Sequence, residues 1–418
     1  IGYHTSGVAL QQVIATYSAN ETNNGKGQLL DVKVILNEDI ASSGNVGKTT
    51  ITKYSDCVIA ALGAGAITVD PAKAIDKQVI TTTQFDLRGN ALTQNVRREY
   101  YDKTTSAFKF SESQAITNTG YDLHDRAKNT EIKSYGETGA FLELRDIVYV
   151  EYDKFGNAVD QTIAAYADEG RTDLIDFKVI HNTYVDKLAQ KKGNATTTET
   201  WKYADLNKTK LVDYTVVNTT AFDAKGNAVD QTINTYVGGT VDGYLASRRV
   251  IHNIGIDNRG DALTQQITVY QTDETGKALT LEVVSYQVLT NRAYDFEHNV
   301  LNQNILTYTQ QGGTLIDVQE VRNLAYHTSG AAINQIIAAY TDTTKTVLID
   351  AKTVLNEGIH ANGDVDKTTI TKYSNCTVAS SGVGAITVND ANAIDRQIIE
   401  TTSRDLRGNA LGQNVTRQ

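Results

Sequence analysis

The stretch Tyr152-Asp153-Lys154-Phe155-Gly156-Asn157-Ala158 is a turn sequence that returns in variants along the whole chain. Its aspartate can accept backbone hydrogen bonds at the first turn position, and its glycine tolerates positive φ at the fourth. Counting ten residues forward from Gly156 reaches Tyr166, and the same count from the matching positions reaches Tyr in ten of twelve places. Self-similarity of this kind predicts a repeat architecture rather than a globular enzyme.

The anchor positions of these turns are spaced by 31 to 45 residues and define twelve units. Ten of the twelve anchors are glycine, and the other two are Asp125 and His298. We expect positive φ at the turn glycines because a Cβ disfavours that conformation. The glycines to which we assign this role are Gly7, Gly89, Gly156, Gly226, Gly260, Gly330 and Gly408.

Each unit has two segments with strand character. From Asn157 to Tyr166 the apolar and polar residues alternate, which is typical of a strand with one drier face. A polar Gly-bearing stretch follows, and residues 174–182 form a second strand-like run. Two strands and a turn make a hairpin. The sequence therefore predicts an all-β tandem array of stacked β-hairpins forming a sheet or tube, with a parallel β-solenoid as the alternative.

A glutamine or threonine lies five residues after every anchor, on the face that also carries an apolar residue at position seven. A partly buried amide needs hydrogen-bond partners. Stacked units would place like beside like, so we predict a ladder along the stack, with a solvated rim and ligand binding as the alternatives. The predicted ladder glutamines are Gln12, Gln94, Gln161, Gln231, Gln265, Gln303, Gln335 and Gln413.

A tyrosine lies ten residues after most anchors. A regular row of phenols could form a glycan-binding strip, but cross-strand aromatic residues are also ordinary sheet stabilisers, and that interpretation is favoured. The predicted structural tyrosines are Tyr17, Tyr54, Tyr135, Tyr166, Tyr203, Tyr236, Tyr270, Tyr308, Tyr340 and Tyr373.

A longer sequence repeat is superimposed on the short one. The sequence of residues 3–7 recurs 323 residues later, and that of residues 86–92 recurs after 319 residues. We interpret residues 1–418 as one continuous array, with a nine-unit long repeat at 1–324 and part of a second at 325–418. Because the sequence opens inside one long repeat and stops inside the next, we expect it to be a segment of a very large protein.

The linkers between units resemble a known family. Tyr121-Asp122, Tyr152-Asp153-x-x-Gly156-Asn157 and Tyr294-Asp295 are similar to the YD or RHS repeats of large bacterial cell-surface and secreted toxin proteins. That resemblance implies β-hairpins wound into a long sheet, which in the family closes as a shell around a cargo or forms surface stalks. It carries over no catalytic residue.

Composition narrows the class of protein further. The chain is rich in residues that favour pleated strands, has no Met and one Pro, and carries a formal net charge of -10 without a basic cluster. Nucleic-acid binding rests on Lys and Arg meeting phosphates, so it is not expected. No apolar run reaches the roughly 20 residues of a membrane-spanning helix. We expect an extracellular or cell-surface location.

Signals for catalysis and cofactors are weak. The seven histidines mostly repeat structural positions and have no zinc-ligand spacing. Asp153 and Asp160 around Asn157 could hold calcium, although the oxygen-rich loop of dedicated sites is missing. Cys57 and Cys376 lie one 319-residue offset apart and are expected to be half-buried thiols at equivalent positions, with their pairing left open.

These observations favour a non-enzymatic structural segment without cofactors, whose partners are itself or further repeats of the same long chain. We expect it to assemble into a filament, tube or stalk. The alternative is an encapsulating shell or a module that binds surface glycans.

Overall fold

The computed structural model describes residues 2–20, 25–60, 65–103, 105–237, 243–272 and 281–418. The chain divides into two compact units, of which the first is Ile1–Leu174 with Asp223–Asn227 and the second is Ile175–Phe222 with Ala228–Gln418. Each unit is built from antiparallel strands that follow one another along the chain.

The described residues of the first unit contain eleven strands. Consecutive long strands pair antiparallel from β1 to β11, and β3 pairs with β6 because a short insert, with its own strand pair β4–β5, lies between them. A 3-10 turn at Pro71–Lys73 ends this insert. The strands are β1 (Gln11–Asn20), β2 (Gly25–Ile40), β3 (Val46–Tyr54), β4 (Val58–Ile59), β5 (Ile67–Thr68), β6 (Ala74–Phe85), β7 (Ala91–Asp102), β8 (Ala107–Tyr121), β9 (Ala127–Tyr135), β10 (Phe141–Tyr152) and β11 (Ala158–Tyr166).

The second unit repeats this arrangement. Its long strands pair in sequence order, and β23 pairs with β26 because a second insert with the pair β24–β25 separates them. The strands are β12 (Leu174–Thr183), β13 (Thr197–Tyr203), β14 (Leu211–Phe222), β15 (Ala228–Val237), β16 (Tyr244–Ile256), β17 (Ala262–Thr272), β18 (Leu281–Tyr294), β19 (Val300–Tyr308), β20 (Leu315–Tyr326), β21 (Ala332–Tyr340), β22 (Leu348–Ile359), β23 (Val365–Tyr373), β24 (Thr377–Val378), β25 (Ile386–Thr387), β26 (Ala393–Arg404) and β27 (Ala410–Arg417).

Helix is confined to short connections in the described parts of the chain. The six-residue helix α1 (Lys187–Lys192) begins after Asp186, whose side chain accepts from the N–H of Ala189, and ends at Gly193 with φ of 72°. The second insert contains the four-residue turn α2 (Ala379–Gly382) and a 3-10 turn at Asp390–Asn392.

The register decides between hairpins and a solenoid. Ile147 on β10 pairs with Thr130 on β9 and with Ile163 on β11, so strands of successive repeats are separated by an intervening strand. The predicted hairpin stack is therefore confirmed and the solenoid alternative is wrong. In the same strands, Thr130 and Gln161 lie opposite Ile147 and Tyr149. Because these two partners share one face of β10, successive position-five residues share that face too.

The apolar cores are small clusters on the sheet surface. One cluster in the second unit consists of Tyr214, Val216, Tyr236 and Leu245, with Trp201 and Leu281 packed against it. Another joins Val318, Ala338, Tyr340 and Ile386, so the second insert folds back over β20 and β21. Among the described residues the apolar clusters are local, so the sheet depends on contacts between neighbouring strands, as repeat arrays do.

Candidate functional site

The turn that links successive hairpins is held by its aspartate. Asp153 Oδ1 accepts from the backbone N–H groups of Phe155 and Asn157 at 2.8 and 3.0 Å, and Oδ2 accepts from the Asn157 side chain at 2.8 Å. Hydrogen bonds to the carboxylate favour its charged form. Burial alone would raise the pKa of Asp153, but the bonds from Asn157, Phe155 and Gly156 hold it below its usual value.

Positive φ at the turn glycines is observed as expected, between 83° and 95° at all seven positions. At Gly156 a side-chain methyl group would have nothing within 4 Å, so the requirement for glycine is conformational and not steric crowding by neighbours. The two non-glycine anchors, Asp125 and His298, also adopt positive φ, at 61° and 69°.

Successive turns are joined by side chains along the same edge. Arg126 Nη1 donates to the Asp153 carbonyl at 2.8 Å, and Arg259 Nη2 donates to the Asp295 and Phe296 carbonyls at 2.8 and 2.9 Å. The Arg126 hydrogen bond to Asp122 lowers the pKa of that carboxyl to about 2. Arginine side chains therefore tie the turn at 122–126 to the turn at 153–157, and the turn at 257–261 to the turn at 295–299.

The linker tyrosine has a structural role that the sequence pattern did not indicate. Tyr152, at the end of β10, donates from its Oη to the carbonyl of Ala127 at the start of the paired strand β9, at 2.7 Å. Tyr294 does the same to Ala262 at 2.5 Å, and Tyr326 to Val300 at 2.6 Å. Burial raises the pKa of the Tyr152, Tyr294 and Tyr326 phenols to about 12. Each bond closes the open end of one hairpin, because it joins the last residue of the second strand to the first residue of the first strand.

An asparagine three residues before the linker tyrosine position reinforces this junction. Its Nδ2 donates to the same carbonyl in six repeats, at 2.6 to 3.0 Å. The recurrence of this residue seven positions before the anchor was a signal that could have been found in the sequence. The six are Asn37, Asn118, Asn253, Asn291, Asn323 and Asn356.

The glutamines meet these asparagines. Gln303 Nε2 donates to Asn291 Oδ1 at 2.6 Å, and Gln335 Nε2 donates to Asn323 Oδ1 at 2.6 Å. Gln265 donates to the corresponding asparagine at 2.9 Å, while Gln94, Gln231 and Gln413 donate to a threonine hydroxyl at 3.1, 3.2 and 3.5 Å. The partner thus comes from the intervening strand, so the like-beside-like contact in the predicted ladder is corrected to a Gln–Asn or Gln–Thr contact.

Two glutamines differ from this pattern in their surroundings. Gln161 lies opposite Tyr149, where other repeats carry Asn or Thr. Gln12 lies opposite Ile35 and is exposed, as is Gln413 near the other end of the chain. The remaining glutamines of the set are half-buried.

The tyrosines at position ten pack against neighbouring strands. Tyr236 is 7% exposed and stacks on Tyr214 with ring centroids 5.7 Å apart, and Tyr214 stacks on Trp201 at 4.8 Å. Aromatic pairs of this geometry stabilise a sheet. Tyr166, Tyr236, Tyr340 and Tyr373 are buried, and Tyr17, Tyr54, Tyr135, Tyr203, Tyr270 and Tyr308 are half-buried.

A buried cluster of charged side chains surrounds Glu320, at a position that the sequence analysis did not single out. Glu320 is fully buried and receives hydrogen bonds from Arg292 Nη1 and Nη2 at 2.7 and 2.9 Å, from Arg322 Nη1 at 2.9 Å and from Lys345 Nζ at 2.5 Å. Burial alone would raise the pKa of Glu320, but these cations hold it below its usual value. The cluster joins β18, β20 and the turn after β21, which no local sequence pattern indicates.

The two cysteines lie at equivalent positions in the inserts that follow β3 and β23. Cys57 and Cys376 are free and half-buried. Burial raises the pKa of the Cys376 thiol. No group of three or more His, Cys, Asp or Glu side chains suited to a metal ion occurs in the described residues. Likewise, no helix in the described ranges is long and apolar enough to span a membrane.

Comparison with known proteins gives structural neighbours only. No family model matches the chain, and no curated protein matches it. The chain is similar to a chain of the Photorhabdus luminescens Tc holotoxin pore with mutation TccC3-D651A, at 14% identity and a TM-score of 0.19. A TcdB2-TccC3-TEV crystal structure matches at 12% identity and 0.19, and a TcdB2-TccC3 crystal structure at 13% identity and 0.18.

These matches cover 89%, 92% and 85% of this chain, but only 20%, 21% and 22% of the respective toxin chains. The chain therefore spans about a fifth of the length of the structures it resembles.

Proposed function

We propose that the chain is a non-enzymatic structural segment of a large extracellular or cell-surface protein, in which stacked hairpins form the wall of a filament, tube or stalk. The observation that carries this proposal is the repeated junction of linker tyrosine, asparagine and glutamine. Its polar groups bond to the neighbouring strand, for example Tyr326 and Asn323 on the Val300 carbonyl. Because these tyrosine, asparagine and glutamine side chains bond to the neighbouring strand, their role in this proposal is to hold strands together and not to bind a ligand or a substrate.

The partners in this proposal are further repeats of the same kind, because strand edges recruit strands. In the first unit, β1 pairs with β2 alone among the described strands, and in the second unit β27 pairs with β26 alone among them. Leu411 and Val415 on β27 are 70% and 60% exposed. Apolar side chains on an open edge favour end-to-end addition of strands.

Light scattering over a concentration series, followed by negative-stain imaging, tests the proposal. We expect the 418-residue chain to elongate end to end, equally with and without a chelator. Val415→Lys on β27 should reduce elongation, since a charge on an edge strand opposes pairing. Val150→Lys is the matched control, because Val150 is 67% exposed but lies on the interior strand β10.

A monodisperse monomer at all concentrations would contradict this function. Closed hollow particles in the images would instead favour the encapsulating shell that the RHS resemblance implies.

A further inference from the structure

Residues 3–96 and 326–415 are two copies of one module, called the first and the second module below, and their structures can be compared. The described residues of 55–73 and residues 374–392 form equivalent inserts, each with a two-residue strand pair and a 3-10 turn. Each insert places its cysteine beside a position-ten tyrosine, Cys57 at Tyr17 and Cys376 at Tyr340. Even the preceding turns agree, with a histidine Nδ1 and a serine Oγ 2.9 Å apart in both.

In the second module the insert rests on β20. Arg322 Nε donates to the Gly384 carbonyl at 2.8 Å, and Ile386 is 4% exposed in the cluster with Val318 and Tyr340. Strand β20 also pairs with β21, from Val318 opposite Tyr340 to Tyr326 opposite Ala332. The insert therefore packs against the paired strands β20 and β21.

The first module has the receiving surface without this strand. Ala15, Tyr17 and Ile67 correspond to Ala338, Tyr340 and Ile386, yet they are half-buried instead of buried. On the side of β1 away from β2, the described residues place only the isolated bridge between Tyr3 and Ala9. This bridge is equivalent to the pairing of Tyr326 with Ala332. It therefore indicates the register in which a further strand would pair with β1.

Tyr3 supports the same comparison. It is 70% exposed, whereas the equivalent Tyr326 is half-buried and donates to the Val300 carbonyl at 2.6 Å. The first module thus presents a strand edge, an apolar surface and a phenol that all have defined contacts in the second module.

We propose that the free edge of β1 and residues 65–69 of the adjoining insert bind a strand of the β20 type, supplied by another long repeat of the same kind. The strand adds edge-on by β-augmentation. Its residue equivalent to Val318 would lie opposite Tyr17 and beside Ile67, and its equivalent of Arg322 would reach the Gly65 carbonyl. The inference rests on the proposed structural function and names the segment that the edge recognises.

A fluorescently labelled peptide of residues 315–324 (LIDVQEVRNL) is the probe. It stops before Ala325 because Gly2 and Tyr3 already occupy the positions equivalent to Ala325 and Tyr326. Fluorescence anisotropy should show saturable binding to the 418-residue chain at a dilution where light scattering finds a monomer. Hydrogen exchange should slow in residues 9–17 and 65–69 on binding.

Variants locate the contact. Ile67→Ser should weaken peptide binding about tenfold, because it removes an apolar contact of the size that a buried side chain makes. Val58→Ser is the matched control on the same insert, since Val58 is 70% exposed, and it should leave binding unchanged. In the peptide, Val318→Asp should abolish binding, and this variant needs no change to the chain.

Absence of saturable binding, equal effects of the two serine variants, or protection at β27 instead of β1 would overturn the proposal. The outcome is separable from the proposed function. A monomeric chain that binds the peptide but never elongates refutes the assembly, whereas a chain that elongates without binding the peptide refutes this docking site.

Discussion

Gln303 and Asn291 show how a single side chain contributes to the array. Asn291 is 2% exposed, and its Oδ1 accepts from Gln303 while its Nδ2 donates to the Ala262 carbonyl at 2.9 Å. A buried amide that loses one partner keeps the cost of its desolvation. The contribution of Gln303 to stability therefore depends on the burial of its partner Asn291, and not on the glutamine alone.

Gln303→Ala is expected to lower the free energy of unfolding by about 1 to 3 kcal/mol, because it leaves Asn291 Oδ1 without its donor. Gln413→Ala is the matched control at the same repeat position. Gln413 is exposed and its amide lies 3.5 Å from the Thr401 hydroxyl, so its replacement should be nearly neutral. Urea titration of both variants measures the difference, and equal effects would reject the junction role.

Because the pKa of the linker tyrosines is raised in the folded chain, we expect the chain to lose stability at alkaline pH. Burial raises the pKa of Tyr326 to about 12 from the ordinary value of 10.0. A raised pKa means that the folded chain holds the proton more tightly, so the contribution is complete below about pH 10 and is lost as the pH rises toward 12. Unfolding titrations between these values should show a smaller loss for Tyr326→Phe than for the unaltered chain. An identical pH dependence would contradict this assignment.

At the scale of elements, hairpins and turns could be predicted from the sequence because their signals are local. Alternation over residues 157–166 and glycine at Gly156 required no knowledge of distant partners. The reach of Tyr152 to Ala127 could not be derived without the register of β9 and β10, since one residue of slip would send the phenol to the other face. The like-beside-like ladder was wrong for the same reason, because an intervening strand supplies the partner.

The Glu320 cluster could not be predicted from local sequence patterns. Its members come from two strands and a turn, and Arg322 also reaches the second insert at Gly384. Only the three-dimensional arrangement brings a lone carboxylate among three cations. Such a cluster fixes which elements can pack together, because each partner left alone would be a buried or half-buried unpaired charge.

Glu320→Gln is expected to cost about 3 to 5 kcal/mol, the usual penalty for breaking a buried ion pair on one side. Glu357→Gln is the control, because Glu357 bonds to Lys367 at 2.8 Å on the surface, and such pairs contribute about 0 to 1 kcal/mol. Denaturant titration at neutral pH compares the two, and similar losses would argue against a structural role for the cluster.

The pH dependence of this cluster has the opposite sign to that of the tyrosines. The pKa of Glu320 is held below its ordinary 4.5, so its contribution is present above that value and is lost as the pH falls through the lowered pKa. Acid titration should therefore destabilise the unaltered chain more than Glu320→Gln. A parallel decline of the two proteins would contradict the lowered pKa.

Across the whole molecule, stability should come from neighbouring strands rather than from any one repeat. Strands β7 and β27 are equivalent in sequence, 319 residues apart, and offer a direct comparison. Val96 on β7 pairs with Ile80 on β6 and with Gln114 on β8, and it is 4% exposed. Val415 on β27 pairs with Ile399 on β26 and is 60% exposed. The same residue type in the same repeat position is buried only where a strand lies on both sides.

Val96→Ala should therefore lower the free energy of unfolding by about 1 to 2 kcal/mol, in proportion to the apolar surface that returns to water. Val415→Ala should change it by less than about 0.5 kcal/mol, as is usual for exposed positions. Urea titration under monomeric conditions makes the comparison. If strands add to β27 at higher concentration, Val415 acquires a second neighbour and its substitution should become costly there. A loss at Val415 that equals the loss at Val96 even in the monomer would mean that the side chain, and not the neighbouring strand, determines stability.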